Sequence, residues 1–243
     1  MKRLFDLVLS ITGLMIASPV LLPVMLLVWL QDYKSPFYIA SRVGKGERAF
    51  NMVKLRSMVA NADKSGVDST SANDSRITPV GRFIRRYKLD ELTQLWNVIK
   101  GEMSLVGPRP NVARETALYT AEEKDLLSVH PGITDFASIV FADEGDILEG
   151  KSDPDLAYNQ LIRPWKSRLG LIYIENRSLW IDLQLIFFTV VAVFSRNIAL
   201  NWVQRCLRGL RVDEKVLEVS RRNTDLTPFP PPGADRVVTS RKV

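Results

Sequence analysis

A chain of 243 residues, 46% of them hydrophobic and 25% charged, has the makeup of one cored domain with appendages, or at most two small domains. Its net charge of +6 points to an anionic partner: nucleic acid, a membrane surface or a phosphorylated small molecule. One cysteine, Cys206, excludes an intramolecular disulfide framework and multi-cysteine zinc sites. One histidine, His130, leaves no His-rich metal centre and no obvious Ser-His-Asp triad, so carboxylates are the expected carriers of any nucleophilic or acid/base chemistry.

From Leu7 to Leu30 there is no charged residue. A straight helix of that length would measure roughly 36 Å, against a bilayer core of about 30 Å. Lys2-Arg3 would suit a signal peptide, but the apolar run is long and no A-x-A site follows, so membrane insertion is expected. Ser18-Pro19 lies at the middle, with Pro23 one turn later. Proline lacks the amide donor and disfavours helical geometry in the residue before it, which predicts a sharp kink near Ser18. Two topologies follow. A kinked helix can still span, or two short legs can leave on the side they entered, with Ser18 a candidate partner for the carbonyls freed at the bend.

Phe37–Ile39 and Phe50–Val53 read as short strands around Gly44-Lys45-Gly46. That turn does not match a P-loop and reads as a basic hairpin tip more readily than as a phosphate cradle. Residues 61–76 are rich in Ser, Asn and Asp and read as a surface loop. Thr78-Pro79 opens the central stretch. In it Arg82, Arg85, Arg86 and Lys88 run into the pair Asp90-Glu91, and Leu89, Leu92, Leu95, Trp96 and Ile99 recur at helical spacing. Lys100 and Gly101 are stop signals, and a Gly-Pro-Arg-Pro turn holds Arg109. Acidic residues in a first helical turn suit the positive end of the helix dipole on their own account. The cations on both sides argue for more. A carboxylate near Arg85 has its ionised form favoured, as a nucleophile needs. A helix N-terminus helps hold phosphate, and neighbouring carboxylates can divide attack from Mg²⁺ binding.

Residues 111–129 read as a solvent-exposed helix, and His130-Pro131-Gly132 as a turn into a strand-like run. Asp143, Glu144 and Asp146 form a second acidic cluster without neighbouring cations. Tyr158–Trp180 reads as helical. Leu183–Phe194 is strongly apolar but too short to span. Residues 196–222 fit an amphipathic interfacial helix drawn to anionic lipid, or a core-packing helix. Residues 223–243, with PFPPPG, are expected to be disordered.

Taken together, KRLFDLVLS with Ser18-Pro19, SPFYIASRVGKGERAFNMVKLRSM, RITPVGRFIRRYKLDELTQLWNVIKGEMSLVGPRP, HPGIT and RSLWIDLQLIFFT resemble the bacterial sugar transferases, the monotopic polyprenyl-phosphate phosphoglycosyl transferases, over about residues 1–195. The resemblance implies an α/β fold, mostly α with a small β element. A re-entrant membrane helix hairpin (1–32, broken at Ser18-Pro19) would precede a compact cytoplasmic catalytic core (33–195) at the bacterial inner membrane. It implies transfer of a phosphosugar from a UDP-sugar to undecaprenyl phosphate, with release of UMP, as the first membrane step of a glycoconjugate or polysaccharide. By the same resemblance Asp90 is the nucleophile that forms a covalent phosphosugar intermediate. Glu91 helps bind Mg²⁺, and Arg85 and Arg109 hold phosphate or nucleotide. Lys54 and Arg56, in the matched FNMVKLRSM run, complete the candidate substrate-binding set. The phospholipid membrane is an implied partner and nucleic acid is not; the oligomeric state stays open, a homodimer among the options.

Two departures stand out. Many family members continue PGIT as Gly-Trp-Ala-Gln, where this chain has Asp135-Phe136-Ala137-Ser138, and an Asn-Gly-Arg that often follows is replaced by Ala142-Asp143-Glu144. That region is a candidate wall of the sugar pocket, so the sugar stays open. Two other readings compete: a metal-dependent hydrolase of nucleotide sugars, and a non-enzymatic basic membrane anchor, for which no nucleic-acid motif speaks.

Overall fold

The computed structural model describes residues 1–62 and 74–240; the loop expected over 61–76 therefore lies mostly outside the described residues. The chain opens with α1 (Lys2–Leu30), one helix of 29 residues containing Pro19 and Pro23. Helical geometry continues through Ser18-Pro19, the expected break. Proline at position 19 leaves the Met15 carbonyl without its amide partner, and the Ser18 hydroxyl donates to that same carbonyl at 2.8 Å. A serine before the proline thus restores the bond that would otherwise open the helix.

One side of α1 is packed on the rest of the chain. Phe5, Leu9 and Leu14 join the main core, while Leu21, Val24 and Val28 form a second cluster with Leu55 and Ile84. Both ends are also pinned by charge. Lys2 pairs with buried Asp182 at 2.6 Å, Arg3 donates to the Val98 and Ile99 carbonyls, and Asp6 accepts from the Ser104 hydroxyl at 2.8 Å. Just past the other end, Asp32 accepts two hydrogen bonds from Arg56, which also reaches the Val28 carbonyl. The outer side is apolar and open: Leu4, Val8, Ile11, Met15, Ile16, Val20, Leu22, Leu26 and Leu27 are exposed.

β1 (Phe37–Val43) and β2 (Ala49–Leu55) form the expected antiparallel hairpin, with Phe37 opposite Leu55 and Val43 opposite Ala49. The far edge of β2 is capped by side chains from the central stretch. Asn97 accepts from the Val53 amide at 2.9 Å and donates to the Asn51 carbonyl at 2.7 Å, and the Thr93 hydroxyl donates to the Val53 carbonyl at 3.1 Å. That central stretch forms α2 (Pro79–Arg86), α3 (Leu89–Leu92) and α4 (Leu95–Lys100). Gly101 closes α4 in the left-handed region (φ 87°), the stop its sequence position called for.

β3 (Ser104–Val106) pairs in parallel with β4 (Gly132–Thr134), which brings Arg109 back beside the central helices. The approach is close: a Cβ on Gly132 would lie 2.1 Å from the Gly107 amide nitrogen, so only glycine fits. Between these strands the chain forms a single helical turn, α5 (Ala113–Thr116), and a 3₁₀ stretch at Glu123–Ser128, not the exposed helix expected over 111–129. The difference has a physical cause. Glu123 is completely buried and ion-paired to Arg163, so this segment is drawn into the core.

Four short or medium helices follow: α6 (Phe136–Val140), α7 (Glu144–Leu148), α8 (Pro154–Ala157) and α9 (Arg163–Asn176), with a π turn at Tyr158–Ile162. α10 (Leu179–Phe194) is capped by Ser178 and leaves Trp180, Leu183, Phe187, Val190 and Phe194 exposed. The single helix expected over 196–222 is two, α11 (Arg196–Gly209) and α12 (Glu214–Arg221), with Asp213 capping the second. Their buried Ala199, Val203, Leu207, Val216 and Leu217 belong to the main core. Residues 223–240, expected as a disordered tail, have neither helix nor strand yet lie on the core. Phe229 stacks on Trp165 at 4.5 Å, and Arg168 donates to the Pro230 carbonyl at 2.9 Å.

Candidate active site

The sequence expected Asp90 and Glu91 in the first turn of one long helix. The structure divides that helix at Thr93-Gln94, leaving the pair on the one-turn α3. So short a helix has little dipole, and side-chain charges dominate the surroundings of the pair. Lys88, just before it, sits in the left-handed region (φ 53°), which costs a non-glycine residue free energy and turns the chain sharply between α2 and α3.

Four elements bring cations to the pair. Arg109, in its Pro-Arg-Pro turn, donates to Glu91 Oε1 at 2.6 Å. Arg85, from the last turn of α2, is oriented by its Nε–H bond to the Ser57 hydroxyl at 3.0 Å. Lys54 comes from β2 and Lys88 from the turn before α3. These charges act unequally on two adjacent carboxylates. Burial pushes the Asp90 carboxyl above the ordinary carboxylate range, and Glu91 adds to the rise, against the pull of Lys54, Arg109 and Arg85. Burial acts on Glu91 in the same sense, but Arg109, Lys88 and Lys54 outweigh it and hold Glu91 well below that range. Lys54 is itself brought down to about 8 by burial and by the nearby Arg109 charge. Adjacent carboxyls driven in opposite directions can take different roles, one a more basic attacking oxygen, the other a permanent anion.

Two cavities open beside the pair. One, of about 220 Å³, is lined by Tyr38, Arg42, Lys54, Ser57, Arg76, Arg85 and Asp90 among others. The second, of about 150 Å³, is lined by Arg42, Lys54, Arg109, Glu115, Glu144, Tyr158 and Lys166 among others. Asp90 lines the larger one, Arg42 and Lys54 border both, and Arg109, which holds Glu91, lines the second.

Of the residues expected at the site, Asp90, Glu91, Arg85, Arg109 and Lys54 come together. Arg56 also lines the larger cavity, with its guanidinium engaged by Asp32 at 2.5 and 2.6 Å and by the Val28 and Lys34 carbonyls, so it secures the exit of α1 as well. Ser18 and Pro19 belong to α1 and line neither cavity. The acidic cluster at 143–146 was expected to lack cations, yet Asp143 pairs with Arg196 and Arg222, and Glu144 with Lys166. Glu144, in the stretch expected as a candidate wall of the sugar pocket, lines the smaller cavity, whereas Arg42, Ser57, Tyr158 and Lys166 were not expected as lining. Arg42 and Ser57 lie inside stretches already notable for basic residues, but nothing local marks Tyr158 or Lys166.

Among the described residues no group of three or more His, Cys, Asp or Glu is placed to hold a metal. Mg²⁺ commonly needs only one or two carboxylates when substrate phosphates and waters supply the remaining ligands. The half-buried Asp90-Glu91 pair, with Oε1 of Glu91 engaged by Arg109, fits that mode of binding.

The model of a family described as "Bacterial sugar transferase" matches residues 1–196. Similar proteins include the undecaprenyl-phosphate glucose phosphotransferase of Komagataeibacter xylinus, 38% identical over 204 residues, covering 81% of this chain and 36% of that protein. The UDP-N-acetylgalactosamine-undecaprenyl-phosphate N-acetylgalactosaminephosphotransferase of Aeromonas hydrophila is 32% identical over 199 residues, 80% of this chain and 44% of that one. The exopolysaccharide production protein ExoY of Sinorhizobium fredii is 34% identical over 207 residues, 79% of this chain and 84% of that one. The chain thus spans less than half the length of the first two relatives and most of the third.

Proposed function

The chain belongs to the bacterial sugar transferase family, and from that membership and the geometry of the acidic pair we propose that it transfers a sugar phosphate from a UDP-sugar to undecaprenyl phosphate, releasing UMP. The relatives' names supply the reaction class. The observation that carries it is the gathering of Lys54, Arg85 and Arg109 around two adjacent carboxylates, with Arg109 on Glu91 at 2.6 Å and Arg85 held by Ser57 beside Asp90 on the same cavity wall. Asp90 attacks the sugar-bearing phosphorus, the bond to the bridging oxygen breaks, and UMP leaves with that electron pair. The aspartyl phosphosugar is then attacked at phosphorus by an oxygen of undecaprenyl phosphate, which frees Asp90 and leaves a lipid-linked diphosphosugar. Arg109 fixes Glu91, and Arg85 and Lys54 neutralise phosphate charge, the main task in phosphoryl transfer. Mg²⁺ held with Glu91 would supply further charge neutralisation on the diphosphate.

The test is a panel of UDP-sugars with Mg²⁺, with and without undecaprenyl phosphate. UMP release coupled to a lipid-linked product for at least one donor is expected. Free sugar phosphate as the main product would favour hydrolysis, and no turnover with any donor would sink both enzymatic readings.

We further infer that α1 enters and leaves the cytoplasmic face of the inner membrane, where UDP-sugars are made. Support comes from its apolar outer side and from its two ends, both held by the one folded core. A spanning helix would carry one end to the far side of the bilayer. Cysteines introduced near position 2 and near position 34 are expected to react only with reagent on the cytoplasmic side; labelling from opposite faces would refute this topology.

A further inference from the structure

The two cavities at the acidic pair differ in charge. In the larger one Asp90 is the only acid lining the wall among the described residues, beside Arg42, Lys54, Arg56, Arg76 and Arg85. The smaller one has a mixed wall: Glu115 and Glu144 stand with Lys166, Arg42, Lys54 and Arg109, and the Tyr158 ring lies among them. Glu144 and Lys166 are ion-paired, and the Lys166 ammonium lies 5.3 Å from the centre of the Tyr158 ring. Both charged side chains keep some exposure at this wall, 32% for Glu144 and 18% for Lys166, so a ligand can reach them.

These walls suit different parts of one nucleotide sugar. Two carboxylates repel a diphosphate, whereas they accept hydrogen bonds well from the hydroxyl, amino or amide groups of a sugar. Lys166 supplies donors for sugar oxygens. A hexose is also smaller than a nucleoside, and the mixed-charge cavity is the smaller of the two, about 150 against 220 Å³. Arg42 and Lys54 line both cavities, and Asp90 lines the larger, so a diphosphate held at Lys54 would lie between the two.

Resting on the donor assignment made above, we propose that the sugar ring of the UDP-sugar occupies the cavity walled by Tyr158, Lys166, Glu144 and Glu115, with Glu144 and Lys166 as its specificity-determining residues. The nucleotide then lies on the Arg42–Arg76–Arg85 side. Lys166 reaches the wall of Glu144 from α9, so sugar recognition couples two segments with no sequence proximity.

Binding by the full-length protein in detergent, measured by calorimetry in the Asp90→Asn background to prevent turnover, separates the contributions. The donor accepted in the UDP-sugar panel, or each member of the panel in turn if none is turned over, is compared with UMP, which lacks the sugar. Glu144→Gln is expected to weaken UDP-sugar about tenfold and leave UMP unchanged, because a lost charge-assisted hydrogen bond to the sugar cannot affect a ligand without one. Lys166→Met is expected to do likewise and to reorder affinities across the panel. Equal weakening of UMP and UDP-sugar, or no weakening of either, overturns the assignment; so does failure of every UDP-sugar to bind more tightly than UMP. Wild-type turnover in the panel judges the transferase reading separately, so either proposal can fail while the other stands.

Discussion

Asp90→Asn should lower UMP release by at least about a thousandfold, roughly 4 kcal/mol of transition-state stabilisation, while the protein still folds and still binds UMP. Asparagine keeps the shape and removes the attacking oxygen's charge, so the loss should fall on turnover and not on affinity. The pH dependence of kcat/KM should carry the signature of the same cluster. The proposed mechanism requires Asp90 ionised, and burial holds its carboxyl above the ordinary range, so the rate should climb as pH rises through that raised value. It also requires Lys54 charged, and Lys54 titrates at about 8, so the rate falls again as pH passes that value. Lys54→Met should lower the rate and abolish the alkaline limb. An unchanged limb in that variant would assign it to another group, and wild-type rates in Asp90→Asn would remove Asp90 from the mechanism.

The second large effect concerns stability. Glu123→Ala should cost about 3–5 kcal/mol, a large part of the 5–15 kcal/mol that typically holds a domain folded. Glu123 is 0% exposed and Arg163 2% exposed. Glu123 accepts from Arg163 through two guanidinium nitrogens, from the Ser167 hydroxyl at 2.7 Å and from the Thr120 amide at 3.0 Å. Without it the Arg163 charge stays buried with Asn159 Oδ1, the Leu118 carbonyl and the face of the Tyr119 ring, none of them an anion. The double variant Glu123→Leu, Arg163→Met should recover most of the loss, because it buries no unpaired charge. Thermal unfolding followed by tryptophan fluorescence distinguishes the cases. A single variant as stable as wild type would show that water or movement relieves the charge. Since Arg163 begins α9, which carries Lys166 to the smaller cavity, the single variant should also weaken UDP-sugar binding.

Much of the site was legible because its signals are local. Alternating Phe37–Ile39 and Phe50–Val53 gave the hairpin, Lys100-Gly101 the helix stop, and the neighbouring Arg85, Asp90, Glu91 and Arg109 a cationic carboxylate site. Arg56 looked equivalent to Lys54, two residues away. Both line the larger cavity, but Arg56 follows the end of β2 and is paired with Asp32 at the exit of α1, whereas Lys54 faces the charges of both carboxylates. The charges of 111–129 looked solvated because their partner lies forty residues on, in α9. The proline-rich tail has the composition of disorder, and Phe229 lies on the core only because Trp165 offers it an aromatic face and Arg168 a cation, 4.9 Å from the ring centre.

By itself, then, the sequence determined which groups the protein carries and where they cluster: an apolar N-terminal helix, an adjacent carboxylate pair and arginines on either side of it. Those follow from residue type and short spacing, which local backbone geometry translates directly into position. The tertiary structure decided which charge meets which. It bound Arg56 to Asp32, paired Glu144 with Lys166 on the wall of the smaller cavity, and set Asp90 and Glu91 in opposite electrostatic surroundings. Desolvation and Coulomb interaction depend on distance through space and on burial, and neither can be read from separation along the chain.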